Sequence, residues 1–120
     1  LKIVSIRGAT TANSNNEADI LDATRELLLE IENRNNIQRE KVISILFSAT
    51  KDLNAVYPAK AARLLGYTQC GLMCFNEMDV VGSLDKCIRV MVLYQDCLDQ
   101  ESVKHVYLKK AKTLRPDLNI

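Results

Sequence analysis

Four arginines of this chain could do chemistry, and their positions are unusual for a plain solvated surface. Arg89 interrupts the apolar run Cys87-Ile88-Arg89-Val90-Met91-Val92, and Arg7 follows the alternating stretch Lys2 to Ile6. Arg63 stands three residues from Lys60 on a short helical segment, and Arg115 precedes Pro116. A guanidinium stays charged, so one inside an apolar strand needs a partner or a ligand to neutralise it. Two outcomes are open for Arg89: an internal ion pair with Glu77 or Asp79, or a bidentate site for a small carboxylate ligand. Glu77 shares the ambiguity, since a carboxylate after a strand can serve an arginine or accept a substrate hydroxyl. Cys74, three residues before it, reads as a buried apolar thiol rather than a nucleophile. Tyr107 alternates with His105 on one side of a strand, which fits a packed ring with a tethered hydroxyl.

The scarcities narrow the chemistry further. His105 is the only histidine and there is no tryptophan. A hydrolytic triad needs a base beside a serine or cysteine, and no serine here sits in a Gly-x-Ser-x-Gly elbow. An enzyme built from this chain therefore runs a reaction with little proton shuttling. Cys70, Cys74, Cys87 and Cys97 lie in apolar surroundings without a zinc spacing, so reduced thiols and no metal are expected. Sixteen basic against 15 acidic residues leave a formal charge of +1, which argues against nucleic acid or an anionic membrane as the main partner. No apolar stretch is long enough to span a bilayer, and no leader-like segment opens the sequence, so a cytoplasmic protein is expected. The first residue is Leu1 rather than Met, which suggests that a start residue precedes it.

These groups need elements to hold them. At 120 residues, 48% hydrophobic and 26% charged, the chain fits one globular domain covering residues 1–120. Lys2 to Ile6 alternates like a strand, with Gly8 marking a bulge or a close backbone approach. Ser14 and Glu17 are spaced as a capping box for a helix whose apolar face carries Ile20, Ala23, Leu27, Leu28 and Ile31, fraying over Asn33 to Asn36. Val42 to Phe47 reads as a buried strand, followed by a loop over Ser48 to Asp52. Pro58 opens a short helix, Ala59 to Leu65, that Gly66 closes. Gln69 to Phe75, Cys87 to Tyr94 and Val103 to Leu108 are the remaining strands. The fold class is α+β, a mixed five-stranded sheet packed against one long helix and a short one. One sheet face is left without enough helix to cover it, which points to an oligomer.

Six segments carry a more specific signal. They are Ile6 to Thr11, Leu53 to Arg63, Asn76 to Val80, Lys86 to Met91, His105 to Leu108 and Leu114 to Leu118. In this order they resemble the trimeric, monofunctional bacterial chorismate mutases of the α+β class. The resemblance runs from about Ile3 to the end. It implies a cofactor-free isomerase that rearranges chorismate to prephenate, a homotrimer with a barrel-like core, and active sites between subunits. It also implies roles. Arg89 donates to the ether oxygen, Arg7 grips a carboxylate, Glu77 accepts the ring hydroxyl, Cys74 sits beside Glu77, and Tyr107 packs against the ligand. Tyr57, Lys60, Arg63, Met73, Leu114 and Arg115 complete the substrate-binding set, with Lys60 and Arg63 coming from a neighbouring subunit. Relatives often carry Phe at Tyr57 and Thr at Met73, so neither is given a polar role. The chain ends at Ile120, shorter than relatives that carry a polar tail.

Two further readings fit a small α+β trimer: an imine or enamine deaminase with an interface arginine, and a non-catalytic binder of anionic metabolites. The first would not need the Lys60/Arg63 pair, and the second would need a long ligand-dependent loop.

Overall fold

Alternation of side chains along each strand decides what this sheet can cover. The computed structural model describes residues 1–117, and Leu118, the end of the last resembling segment, lies outside them. Its strands are β1 (Lys2–Thr11), β2 (Val42–Ala49), β3 (Gly71–Asn76), β4 (Cys87–Asp96) and β5 (Val106–Tyr107), in the order β3-β2-β4-β1-β5. β4 pairs antiparallel with β1 and β2, while β3 and β5 run parallel to their neighbours. Val4, Ile6, Ile45, Phe47, Val90, Val92 and Tyr94 point to one face, where Leu27, Leu28 and Ile31 of helix α1 (Glu17–Asn35) complete the core. Helix α2 (Ala59–Leu65) joins that layer through Ala59 and Ala62. The fold is the expected α+β arrangement. Among the described residues no α-helix lies on the opposite face; the 3-10 turn Lys109–Thr113 covers it only around Ala9 and Tyr107, and Ile3, Met73, Phe75 and Met91 are exposed on it.

The details differ from the sequence reading in four places, each with a local cause. The helix cap is Asn16 rather than Ser14: Asn16 is extended and accepts from the Asp19 N–H at 2.8 Å. Ser14 stands two residues too early and donates to the Asp19 carboxylate instead. α1 does not fray at its asparagines. Asn35 is buried, donates to the carbonyls of Ile31 and Lys104, and accepts the Lys104 N–H, while Asn36 turns left-handed (φ 52°) to end the helix. β2 runs on through Ser48 and Ala49, because it lies between two partners that pair with both residues. β5 shrinks to Val106 and Tyr107, since the next donor on β1, the Arg7 N–H, is taken by Nδ1 of His105 at 2.9 Å. α2 and its left-handed Gly66 (φ 109°) match the sequence reading.

Gly8 is a close approach and not a bulge, for the β1–β4 register is unbroken across it. A Cβ there would lie 3.0 Å from the Val106 carbonyl oxygen and from Cδ1 of Ile31. The β2–β4 ladder does shift register, between Val42 and Ser44.

Candidate active site

The register of the sheet assembles the site on its open face. Partners paired across a sheet share a face, so Phe75, Ser48, Arg89, Ala9 and Tyr107 form one transverse row through all five strands. The next row holds Met73, Leu46, Met91 and Arg7. Arg89 therefore leaves the apolar run of β4 on the side away from α1, because Ile88 and Val90 occupy the core side. Arg7 and Arg89 line a shared depression of about 250 Å³ with Leu46, Ser48, Phe75 and Met91.

Glu77 is the carboxylate that Arg89 meets. The Glu77 N–H donates to the Ala49 carbonyl at 3.0 Å, carrying the β2–β3 ladder one residue beyond β3. Its Oε1 lies 3.2 Å from Nε of Arg89 and accepts the Ser48 hydroxyl at 2.7 Å. Asp79, the other candidate, pairs with Lys51 instead, at 2.8 Å. The Arg89 contact is electrostatic rather than a formed hydrogen bond, since the buried Nε finds no aligned acceptor. The guanidinium side chain stays 42% exposed, so it faces solvent and not the core. Glu77 and Arg89 also line a cavity of about 340 Å³ with Thr50, Met78, Val80, Ser83, Leu84 and Cys87.

The loops bordering that cavity are tied together. Asp52 accepts the Lys86 N–H at 2.9 Å and the Thr50 hydroxyl at 2.5 Å, and the Cys87 N–H donates to Thr50 Oγ1 at 3.0 Å. Burial opposes the Asp52 charge, but these donors outweigh it and hold the carboxyl below its usual range. Lys86 adopts φ 47° at this junction, and β4 begins with the next residue. Burial pushes the Cys87 thiol up, so at neutral pH it is not a thiolate.

The remaining candidates divide by location. Tyr107 is buried against Ala9 and Ala111, with Leu84 and Leu114 packed around them. Arg115 pairs with Asp117 at 2.9 Å and lies close enough to His105 to act on its charge. Because Nδ1 of His105 accepts the Arg7 N–H, the neutral ring carries its proton on Nε2 and cannot accept from the Arg7 guanidinium 3.5 Å away. Burial, then the charges of Arg7 and Arg115, lower the His105 pKa from its ordinary value. Met73 lies in the Arg7 row, 58% exposed. Cys74 does not share the cavity of Glu77. It pairs with Phe47, packs against the core, and lines a separate cavity of about 600 Å³ with Leu53, Asn54 and Tyr57. Lys60 of α2 pairs with Glu17 at the start of α1, at 2.7 Å, and Arg63 is exposed on α2. One chain thus carries two groups of candidates: Arg7, Glu77, Arg89, Tyr107 and Arg115 toward the open face and β5, and Tyr57, Lys60, Arg63 and Cys74 toward α2.

Ser48 is the residue that the sequence reading missed. At the end of an apolar run it reads as the start of a loop, whereas its alternation with Leu46 along the continuing strand turns it to the open face. Among the described residues, no group of three or more His, Cys, Asp or Glu side chains is placed to hold a metal ion. No described helix is long and apolar enough to cross a membrane.

An open mixed sheet with two arginines and a carboxylate on its bare face, backed by one long helix, defines a small α+β protein equipped to bind an anionic ligand by charge. The family profile described as chorismate mutase type I matches residues 3–118. The chain is 47% identical to chorismate mutase AroH of Bacillus subtilis, over all of this chain and 95% of that protein. It is 43% identical to chorismate mutase AroH of Thermus thermophilus, over 94% of this chain and 93% of that one. A solved chorismate mutase from Clostridium thermocellum superposes with a TM-score of 0.88 at 49% identity, covering 90% of this chain and 96% of its own. The chain belongs to the type I chorismate mutase family. The deaminase and metabolite-binder readings gain no support from these matches.

Proposed function

We propose that this protein is a chorismate mutase, an isomerase of aromatic amino acid biosynthesis that converts chorismate to prephenate by a [3,3] rearrangement. The observation that carries the reading is Arg89, a half-exposed guanidinium beside Glu77 on the open sheet face of a chain that belongs to this family. The reaction forms no enzyme-bound covalent intermediate and moves no proton. A site speeds it by holding the substrate in a compact chair and by stabilising the polar transition state. Negative charge grows on the ether oxygen as its C–O bond breaks, and Arg89 donates to that oxygen more strongly in the transition state than in the ground state. Arg7 takes a carboxylate, Glu77 accepts the ring hydroxyl, and Tyr107 packs against the ligand. No cofactor takes part.

The working form in this reading is a homotrimer in the cytoplasm, its sites shared between subunits. Two features support the assembly. The part of the sheet face bearing Ile3, Met73, Phe75 and Met91 is exposed, and among the described residues no helix covers it. The Tyr57, Lys60, Arg63 and Cys74 group also lies apart from Arg89 and Glu77, so a second copy can bring the two groups together. Lys60, Arg63, Tyr57, Met73, Cys74, Leu114 and Arg115 then enclose the substrate and steer its two negative charges. Four free thiols are in keeping with a reducing compartment.

The test is to follow the loss of chorismate's ultraviolet absorbance with purified protein and no added cofactor, with sedimentation for the assembly. Turnover to prephenate by a three-chain particle is expected. No turnover overturns the assigned reaction, and an active monomer overturns the shared site.

A further inference from the structure

We propose that Ser48 is a positioning residue for the mutase reaction, holding the Glu77 carboxylate so that it does not lock Arg89 into a bidentate ion pair. The inference rests on the chorismate mutase reading and deepens it. Three observations carry it. First, Ser48 lies in the transverse row between the strand that leads into Glu77 and the strand that bears Arg89, paired in register with Phe75 and Arg89. Second, its hydroxyl donates to Oε1 of Glu77 at 2.7 Å, and that same oxygen lies 3.2 Å from Nε of Arg89. Third, Nε of Arg89 is buried without an aligned acceptor.

Arginine and carboxylate close together prefer a bidentate pair with two parallel N–H···O bonds. Here that pair is not formed, although the partners are within reach. The Glu77 N–H bond to Ala49 fixes the main chain that carries the side chain, and the Ser48 bond holds the carboxylate itself, with Oε1 turned toward β2. Oε2 accepts no hydrogen bond among the described residues and is left for a substrate hydroxyl. Without the serine hydroxyl, Glu77 is free to rotate into a bidentate pair. The guanidinium nitrogens that must follow charge onto the ether oxygen would then be occupied in the ground state. The loss falls on transition-state stabilisation and spares ground-state binding, so it appears in kcat and not in KM.

The test compares Ser48→Thr with Ser48→Val in the full-length protein, two substitutions of nearly equal shape that differ in the hydroxyl. Ser48→Thr is expected to stay within about threefold of the unsubstituted protein, and Ser48→Val to lose about tenfold or more in kcat at similar KM, as for a lost bond to a charged group. The Val effect should shrink to about threefold or less when Glu77→Gln is already present, since the bond then no longer holds a charge. Denaturant midpoints of the Thr and Val variants should agree. Equal kcat for Thr and Val, or the same Val loss in the Glu77→Gln background, overturns the role of Ser48. If the unsubstituted protein itself fails to turn over chorismate, the reaction assignment fails instead, and the two failures are distinguished by that first measurement.

Discussion

Gly8→Ala tests the link between sheet packing and the site most directly. The new Cβ would stand 3.0 Å from the Val106 carbonyl oxygen, 3.0 Å from Cδ1 of Ile31 and 3.1 Å from Cδ1 of Leu27. The two methyl groups belong to buried core side chains of α1, and the carbonyl is backbone, so none of the three yields freely. Overpacking of this kind costs about 1–3 kcal/mol. Replacing glycine also restricts the unfolded chain, which returns about 0.4–1 kcal/mol. The net is a destabilisation of roughly 0.5–2 kcal/mol. With an unfolding entropy of about 2.1 cal/mol/K per residue, that is a Tm lowered by about 2–8 °C for a chain of this length. The cheapest relief is for β5 to move away, because it is held to β1 by two paired residues, the Leu108 N–H bond to Ala9 and the Arg7 N–H bond to His105. Tyr107 and His105 move with it, and the His105 bond to Arg7 is strained. A lower kcat/KM should therefore accompany the lower Tm, both measured at one fixed protein concentration because an oligomer's Tm depends on it. A variant with unchanged Tm and unchanged kcat/KM would refute the close-packing argument and its connection to Arg7.

Arg89→Ala should lower kcat by at least about 10²-fold, as for loss of an oxyanion-type donor, and near-full kcat would make Arg89 structural. Arg63→Ala should mainly raise KM, the sign of lost uniform binding, and a mainly kcat effect would move Arg63 into the chemical step. The rate should be flat from about pH 7 to 9 because no general acid or base takes part, so a step in that range counts against the mechanism. His105 has a folded pKa below its ordinary 6.5, so the unfolded chain binds its proton first. Its effect on stability is constant above about pH 6.5 and turns unfavourable as the pH falls through that value, a trend that His105→Asn should reduce in denaturant titrations. Glu32 accepts from the Tyr67 hydroxyl at 2.5 Å and from Arg39 at 2.7 and 3.0 Å. Glu32→Ala should destabilise by about 1–3 kcal/mol, mostly through the buried Tyr67 hydroxyl, and an unchanged denaturant midpoint would contradict this.

Much of the site was legible from residue types. Arg89 stood out because a permanent charge inside an apolar run demands a partner, and Glu77 was named as one of two candidates. The choice between Glu77 and Asp79 was not legible, since it depends on which of them the end of β3 leaves facing the open side. Cys74 and Glu77 are three residues apart, yet they open into different cavities, because Cys74 is still inside β3 and faces the core layer while Glu77 has left the strand. Ser48 was hidden for a related reason. A serine ending an apolar run looks like the start of a loop, and only the pairing of β2 with β3 and β4 keeps it in the sheet.

Local periodicity determined the elements: which segments are strand or helix, where α2 begins and stops, and that one sheet face would lack a cover. Those properties depend on neighbours a few residues apart, which the sequence displays directly. The tertiary structure decided register. Ala9 meets Arg89, Arg89 meets Ser48 and Ala9 meets Tyr107 through pairings between segments far apart in the chain. Such pairings are settled by how the buried faces of β1, β2 and β4 pack on α1, and a slip of one residue in β1 or β4 would turn Arg7 or Arg89 into the core.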